Sequence, residues 1–394
     1  MCCPEKMSFH DIEVNHTDLE QSYLNIEDRS RVNPFSWTGQ FSPQFIEVLL
    51  DRYSNENDVV FDPFSGSGTV LIESVRKKLS AIGVELNPSA YYMSKFYEIT
   101  CLTNDKRDIL IDTIDSFVSS LLSSTNVEKD YLNYYEKMPD GTTKNTVALL
   151  LIMTDVYKND FDPSIINLKW IKIKNMIYGL PHSNKPIKSY LGDIRNTNLL
   201  EDSASLLITS PPYINVFNYH QNYRRSVEKL GYNILQTAKS EFGSNRKNRG
   251  NRFLTVIQYC IDMALAIKEC IRICKNGSRM IFVVGKESNV LSTCFCNSEL
   301  IFKIEKEIFG LSFIMLQERS FKNRFGQIIY EDILHFNVNN ESKTILSENY
   351  IIEESKKIAL CALNKALLHA DNDKKILLEQ AIAKCNSISK SEVQ

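Results

Sequence analysis

Residues 57–78 read NDVVFDPFSGSGTVLIESVRKK, and they contain the clearest indication of the protein's architecture. The run VVF (59–61) is β-branched and aromatic, which is typical of a buried strand. The loop DPFSGSGT (62–69) comes next, and apolar residues at helical spacing follow it. A strand, a glycine loop and a helix in this order predict the first unit of an α/β sheet with parallel strands.

The glycine loop predicts a cofactor site. Gly66 and Gly68 have no Cβ, so the backbone can approach a ligand closely, and the first amides of the next helix attract negative charge. Glu85 lies 23 residues beyond Asp62 at the end of the next strand pattern, SAIGVE (80–85). An acid at about this distance can accept both hydroxyls of an adenosine ribose. Together these features predict an adenosine cofactor.

Asp62 distinguishes between two classes of adenosine cofactor. A nicotinamide enzyme binds its pyrophosphate on a loop of this kind, and a carboxylate at the strand tip would repel those phosphates. An acid at this position suits a cation. S-Adenosylmethionine carries an ammonium and a sulfonium group, so it is the predicted cofactor.

A second motif, TSPPY (209–213), follows the apolar run SASLLI (203–208). Because proline cannot donate to a sheet ladder, the strand must end here in a fixed, non-helical corner. Ligands of open α/β sheets bind at the carboxyl ends of strands. This corner is therefore a candidate site.

DPFSGSGT, Glu85, Gly192-Asp193 and TSPPY, in this order, resemble the amino-group DNA methyltransferases. SPPY is similar to the cytosine-N4 branch, whereas adenine-N6 enzymes more often have Asp-Pro-Pro-Tyr or Asn-Pro-Pro-Tyr. The resemblance covers residues 33–96 and 188–337. It implies a Rossmann-like, S-adenosylmethionine-dependent methyltransferase fold with a largely parallel seven-stranded sheet and a helical insertion.

The resemblance also implies roles for individual residues on the cofactor side. The segment NPFSWTGQFSP (33–43) resembles the part of the family that closes over the methionine end of the cofactor, and Asp193 is expected beside the adenine amine. The implied cofactor-binding residues are Trp37, Asp62, Pro63, Phe64, Gly66, Gly68, Thr69, Glu85, Asp193 and Thr209.

On the catalytic side, the resemblance implies that a target base is flipped into a pocket. The Ser210 hydroxyl and the Pro211 carbonyl can accept the amine hydrogens, which draws the nitrogen toward tetrahedral geometry, while Tyr213 can stack on the base. The amine then attacks the sulfonium methyl group. The implied catalytic residues are Ser210, Pro211, Pro212 and Tyr213.

A basic segment follows the corner, although the whole chain carries a net charge of −2. Residues 222–252 contain eight basic and two acidic side chains. A local excess of this kind beside a base pocket predicts contact with phosphates. The predicted nucleic-acid-binding residues are Tyr219, Tyr223, Arg224, Arg225, Arg246, Lys247, Arg249 and Arg252.

The chain of 394 residues is long enough for one large α/β domain with insertions, or for two domains. SPQFIEVLLDRY (42–53) predicts a helix with a Ser N-cap and Pro at its first position. The predicted segments are an acidic N-terminal arm (1–30), mobile or loosely docked; the first part of the methyltransferase domain (31–100); a helical insertion (101–188); the second part with SPPY (189–340); and C-terminal helices (341–394). The insertion, the basic segment and the C-terminal helices are all candidates for the target-recognition region.

Composition constrains the setting of the protein. The sequence has no apolar run of about 18 residues that would span a membrane, and the start lacks the apolar core of a signal peptide. The ten cysteines have neither disulfide-framework nor zinc-site spacing, so we expect them to be reduced and expect no metal. These observations predict a cytoplasmic protein.

The sequence therefore predicts an S-adenosylmethionine-dependent methyltransferase that modifies the N4 amine of cytosine in a specific sequence of double-stranded DNA. A role in restriction-modification or defence follows from the resemblance, with a cognate restriction endonuclease as a candidate partner. Adenine N6 in DNA, guanine N2 in transfer RNA, and a catalytically silent nucleic-acid-binding module stay open as alternatives. Cytosine-C5 methylation is disfavoured, because it usually needs a Pro-Cys pair and no proline here precedes a cysteine.

Overall fold

The computed structural model describes residues 8–26, 30–214, 219–242, 250–323 and 326–393. Within these residues the main sheet has seven strands in the order β3-β2-β1-β4-β5-β9-β8. β1, β2 and β3 are parallel, as are β4 and β5, while β9 is antiparallel to both β5 and β8. The strands are β1 (Val59–Asp62), β2 (Ser80–Glu85), β3 (Ile187–Leu191), β4 (Ala204–Thr209), β5 (Cys274–Gly285), a separate hairpin of β6 (Glu287–Val290) and β7 (Thr293–Cys296), β8 (Ser312–Lys322) and β9 (Ile328–Asn337).

Helices fill the connections between the strands. α5 to α9 all lie between β2 and β3 in the chain, so the predicted α/β fold, with a largely parallel seven-stranded sheet and a helical insertion, is confirmed. The described α-helices are α1 (Gln21–Asn25), α2 (Pro43–Tyr53), α3 (Thr69–Arg76), α4 (Pro88–Lys95), α5 (Asn104–Leu121), α6 (Val127–Lys137), α7 (Thr142–Thr154), α8 (Val156–Asn159), α9 (Pro163–Gly179), α10 (Arg224–Lys229), α11 (Ile234–Ser240), α12 (Leu254–Ile273), α13 (Asn297–Lys303), α14 (Glu348–His369) and α15 (Asn372–Ala383).

Side-chain caps set where several of these helices begin. The Ser42 hydroxyl accepts a hydrogen bond from the Phe45 amide at 3.4 Å, and Pro43 takes the first position of α2, which confirms the helix start predicted there. Asn87 caps α4 in the same way, accepting from the Ser89 amide at 2.9 Å. This second cap fixes the turn that directly follows β2.

The chain divides into two compact units. The glycine-loop unit is drawn from Ser30–Asp193 and Asn218–Ala238, and the SPPY unit from Met1–Arg29, Ile194–Phe217 and Lys239–Val393. Each unit has its own buried apolar core. In the glycine-loop unit the core includes the inner face of α2 and most of β1, whereas in the SPPY unit it includes the middle of β5 and nearly all of α12.

The described part of the N-terminal segment packs on β8 rather than docking loosely. The Asn15 amide donates to the Leu316 carbonyl at 2.7 Å, and the Asn25 side chain accepts from the Ser320 amide at 2.8 Å. Phe9 and Leu24 are buried. β8 lies at the edge of the sheet, where unpaired backbone groups need partners, and this segment supplies some of them.

No helix in the described ranges combines the length and the apolar character that a membrane crossing requires. The eight described cysteines are free thiols, four of them buried: Cys260, Cys270, Cys274 and Cys385.

Candidate active site

Three acidic residues lie at the carboxyl ends of the three parallel strands of the glycine-loop unit. Asp62 ends β1, Glu85 ends β2, and Asp193 follows β3 by two residues. The strands are in register, with Asp62 opposite Gly83 and Glu85 opposite Leu191, so the three acids share one edge of the sheet. Asp62 and Asp193 are 2% and 1% exposed. A group of carboxylates at this edge suits a ligand that carries hydroxyls, an amine or a positive charge.

The Glu85 carboxylate joins the glycine loop to the turn after β2. One of its oxygens accepts from the Gly66 amide at 2.7 Å, and the other accepts from the Asn87 amide at 2.7 Å. Asp62 fixes the start of the same loop, because its Oδ1 accepts from the Phe64 amide at 3.2 Å. Two of the three acids predicted to bind the cofactor thus also hold the backbone of the loop in place.

We expect Glu85→Gln to loosen this loop. A glutamine has one oxygen, so one of the two amides would face an NH₂ donor and lose its acceptor, which costs about 1–3 kcal/mol for a partly buried group. A lower melting temperature and weaker binding of S-adenosylmethionine by calorimetry are the expected results. Glu56→Gln is the matched control, since Glu56 is exposed. The same melting temperature and the same S-adenosylmethionine affinity in both variants would contradict the role assigned to Glu85.

Gly68 makes the closest approach in the loop. It caps α3 with φ at +86°, and a Cβ there would lie 2.8 Å from Ser94 Cα and 2.9 Å from Tyr97 Cδ2. Neither the dihedral angle nor the space suits another residue. The turn into α3 can therefore pack this closely against α4 only with glycine at this position.

The segment 33–43 lies against the glycine loop. The Ser67 hydroxyl donates to Gln40 Oε1 at 2.7 Å, and the Thr69 hydroxyl donates to Asn33 Oδ1 at 3.1 Å. Trp37 is adjacent to the loop as well, since a Cβ on Gly66 would lie 3.4 Å from its Cδ1. Sequence analysis assigned Trp37 to the cofactor but missed Gln40 and Asn33, whose amide side chains give no pattern of their own.

Tyr219 and Tyr223 also belong to the glycine-loop unit. The Tyr219 ring stacks on Trp37 with centroids 6.0 Å apart, and its carbonyl accepts from Asn87 Nδ2 at 3.0 Å. The Tyr223 hydroxyl donates to the Ser36 carbonyl at 3.0 Å, and burial raises the pKa of this tyrosine. Both tyrosines contact the segment 33–43. Their contact with nucleic acid stays a prediction.

Ion pairs neutralise part of the positive charge of the basic segment (residues 222–252). Arg224 pairs with Glu228 at 2.7 Å, Arg225 with Asp160 at 3.7 Å, Lys229 with Glu128, and Lys239 with Glu392 at 3.2 Å. Three of these four acids are remote in sequence, so a local count of charges missed them. Arg252 is half-buried, just before α12. Arg246, Lys247 and Arg249 lie outside the described residues.

In the SPPY unit, β4 ends at Thr209, which is fully buried, and the corner follows with Pro211 buried and Pro212 half-buried. The Tyr213 ring lies against Gly285 at the end of β5, where a Cβ would come within 2.9 Å of Tyr213 Cε2. Its hydroxyl donates to Glu331 Oε1 at 3.2 Å and lies 3.4 Å from the Ser210 hydroxyl. The two side chains predicted to handle the base are therefore neighbours.

Glu331 is held in turn by Arg319 on the adjacent strand. The Arg319 guanidinium contacts Glu331 Oε2 through Nε at 2.7 Å and through Nη2 at 2.6 Å, and both residues are buried. Sequence analysis missed these two residues and Gly285. Charged side chains within the strand patterns QERSF (317–321) and EDILHF (331–336) were the available signal, because a strand rarely buries a charge without a partner.

The first part of the chain matches a known protein family. Residues 6–96 match the model of a family of N6/N4-type enzymes described as DNA methylase. The match includes Trp37, the glycine loop and Glu85, and it ends before TSPPY.

Two curated relatives are similar over short regions. The Type II methyltransferase M.MjaII of Methanocaldococcus jannaschii is 33% identical over 75 residues, which is 18% of this chain and 14% of that protein. The Type II methyltransferase M.MvaI of Kocuria varians is 31% identical over 87 residues, or 21% of this chain and 19% of that protein. The similarity thus covers less than a fifth of each relative.

Among solved structures, an S-adenosylmethionine-dependent methyltransferase from Methanosarcina mazei aligns with 74% of this chain and 97% of its own, at 11% identity and a TM-score of 0.35. M. jannaschii TYW2 in complex with AdoMet aligns with 75% of this chain and 74% of its own, at 13% identity and a TM-score of 0.31. TM-scores this low do not support a fold assignment, which therefore depends on the strand order of the sheet.

Proposed function

We propose that this protein is an S-adenosylmethionine-dependent DNA methyltransferase that transfers a methyl group to the exocyclic N4 amine of cytosine. Its substrate is a specific sequence in double-stranded DNA, from which the target base is flipped. The observation that supports this most directly is the Glu85 carboxylate, which binds the Gly66 and Asn87 amides at 2.7 Å. The glycine loop and Glu85 were recognised separately in the sequence, and these hydrogen bonds join them. Both lie inside the region that matches the DNA methylase family.

The acids of the glycine-loop unit fit S-adenosylmethionine. Asp62 holds the ammonium end, Glu85 holds the ribose hydroxyls, and Asp193 accepts from the adenine amine. Trp37 covers the methionine end with the rest of the segment 33–43. When bound, the cofactor supplies an electrophilic methyl group on a sulfonium. The loop at residues 62–69 contains no lysine or arginine that could bind a phosphate. Its carboxylate therefore suits a cationic ligand better than a pyrophosphate.

The SPPY corner handles the amine. An exocyclic amine is a poor nucleophile while its lone pair is delocalised into the ring. The Ser210 hydroxyl and the Pro211 carbonyl accept the two amine hydrogens and draw the nitrogen toward tetrahedral geometry, and Pro212 keeps the corner rigid. Tyr213 stacks on the base, which contributes about 1–3 kcal/mol and offsets the cost of unstacking it.

The basic residues contact the DNA backbone in this proposal. Arg224, Arg225 and Arg252 are the described members of that set, with Tyr219 and Tyr223 between the phosphates and the segment 33–43. Because Arg224 and Arg225 are paired with acids at the surface, phosphate contact requires an exchange of partners, which exposed ion pairs permit at a cost of about 1 kcal/mol or less.

Sequencing genomic DNA from cells that express the protein, by a method that separates modified cytosine from modified adenine, tests this function. We expect N4-methylcytosine at one recurring sequence, and none in cells with Ser210→Ala. N6-methyladenine at such a sequence would select the adenine alternative. Methylated guanine in transfer RNA with unmodified DNA would select the RNA alternative, and no modification at all would favour a silent binding module.

We further propose that the modification protects DNA from a cognate restriction endonuclease. DNA from expressing cells, cut with nucleases that recognise the methylated sequence, is then expected to resist at least one of them. Complete cutting by every such nuclease would contradict a protective role while leaving the methyl transfer itself intact.

A further inference from the structure

A line of hydrogen bonds runs from a buried ion pair to the catalytic corner. Arg319 holds one oxygen of Glu331 at 2.6 and 2.7 Å, the other Glu331 oxygen accepts from the Tyr213 hydroxyl at 3.2 Å, and the Tyr213 oxygen lies 3.4 Å from the Ser210 hydroxyl. Arg319 and Glu331 face each other directly across β8 and β9. The ion-pair end of the line is thus fixed by the pairing of two strands.

The chemistry of the members sets the direction of every hydrogen. Glu331 is paired with a guanidinium that carries a permanent charge, and an ionised carboxylate can only accept. Tyr213 must therefore donate its one hydrogen to Glu331. Its oxygen keeps lone pairs, so in the contact between the two hydroxyls Ser210 is the donor and Tyr213 the acceptor.

This direction matters for the target amine. If the Ser210 hydrogen pointed at the amine, the hydroxyl would offer a donor to a group whose own hydrogens need acceptors. With that hydrogen directed at Tyr213, the lone pairs of the Ser210 oxygen face the amine. The 3.4 Å separation is longer than an ideal hydroxyl contact, and such contacts commonly tighten when substrate binds.

We propose that Glu331 and Arg319 are positioning residues that act through Tyr213 to turn the Ser210 hydroxyl into a hydrogen-bond acceptor for the target amine. The inference rests on the proposed function and deepens it, since it gives the tyrosine hydroxyl a role separate from stacking of the ring. Gly285 supports the arrangement, because any Cβ there would displace the ring that carries this hydroxyl.

Three variants test the inference with the full-length protein and a duplex that contains the modified sequence. Tyr213→Phe keeps the ring and removes the hydroxyl, Glu331→Gln removes the demand for the tyrosine hydrogen, and a third variant combines both. Glu318→Gln is the matched control, because Glu318 is the neighbour of Arg319 on β8 and pairs with Lys286 instead. The measurements are kcat, the KM for DNA, the affinity for S-adenosylmethionine, and base flipping followed by 2-aminopurine fluorescence at the target position.

We expect Tyr213→Phe and Glu331→Gln each to lower kcat about 10- to 100-fold, as loss of a charge-linked hydrogen bond does. KM, cofactor affinity and flipping should stay within about twofold of wild type, because the ring still stacks. The double variant should be no slower than the slower single variant, since both changes break one line of contacts. Glu318→Gln should keep the wild-type kcat.

Wild-type kcat in Tyr213→Phe, or additive losses in the double variant, would overturn the inference while the proposed function stands. Tyr213→Phe removes no buried charge, so we expect this variant to fold. Its kcat therefore tests the inference even if Glu331→Gln fails to fold. Absence of methyl transfer by the wild-type protein to any nucleic acid would overturn the proposed function, and this inference with it.

Discussion

Ser210→Ala is expected to lower kcat for methyl transfer by about 10²- to 10³-fold, the usual cost of removing one preorganised group that stabilises a transition state. The alanine offers no acceptor to the amine hydrogen, so the nitrogen lone pair stays delocalised in the ring. Binding of the cofactor should not change, because Ser210 is not among the residues proposed to contact it. Single-turnover rates and calorimetric titration of S-adenosylmethionine measure the two quantities separately.

Ser203→Ala is the matched control for this variant. Ser203 lies at the other end of β4, where its hydroxyl donates to the Leu200 carbonyl at 2.7 Å. The same substitution there should leave kcat unchanged. A wild-type rate in Ser210→Ala would show that the amine is not held by this hydroxyl, and the catalytic role assigned to SPPY would then be wrong.

Gly68→Ala is expected to have the largest effect on stability and on cofactor binding. The new Cβ would lie within 2.9 Å of Ser94 and Tyr97, and φ at +86° adds strain for any residue other than glycine. Overpacking and backbone strain together cost about 2–5 kcal/mol. We expect a clear fall in melting temperature and the loss of measurable S-adenosylmethionine binding.

Gly66→Ala separates the clash from the strain. Gly66 also has a positive φ, at +51°, but its Cβ would meet only Trp37, at an ordinary 3.4 Å. Its effect on stability should be limited to about 1–2 kcal/mol of backbone strain. Equal melting temperatures for the two variants would mean that the loop can move away from α4, and the close contact of Gly68 with Ser94 would then not require glycine.

Local patterns explain why so much of the fold was predictable. The run VVF, the loop DPFSGSGT and the helix after it appear in the structure as β1, the loop and α3, because each depends on residues close together in the chain. The start of α2 at Pro43 follows from its Ser42 cap in the same way. β5 begins at Cys274, well before its apolar run MIFVV (280–284), since its ladder with β4 starts before an irregularity in their register.

Contacts between distant parts of the chain explain what was missed. The Arg319–Glu331 pair exists only because β8 and β9 align those two residues, and no spacing rule gives that register in advance. The pairing of Arg225 with Asp160 joins residues 65 positions apart, so the charge count of the basic segment overstated its charge. Gly285 has no side chain that could mark it in the sequence, and its contact with the Tyr213 ring exists only in the folded chain.

The identity of the methylated nucleoside decides whether this protein is a cytosine-N4 methyltransferase. Duplex DNA containing the recognised sequence is incubated with the protein and methyl-labelled S-adenosylmethionine, then hydrolysed to nucleosides and separated by chromatography. We predict label in N4-methyldeoxycytidine with the wild-type protein and almost none with Ser210→Ala. Label in another nucleoside, or equal label from both proteins, would contradict the account.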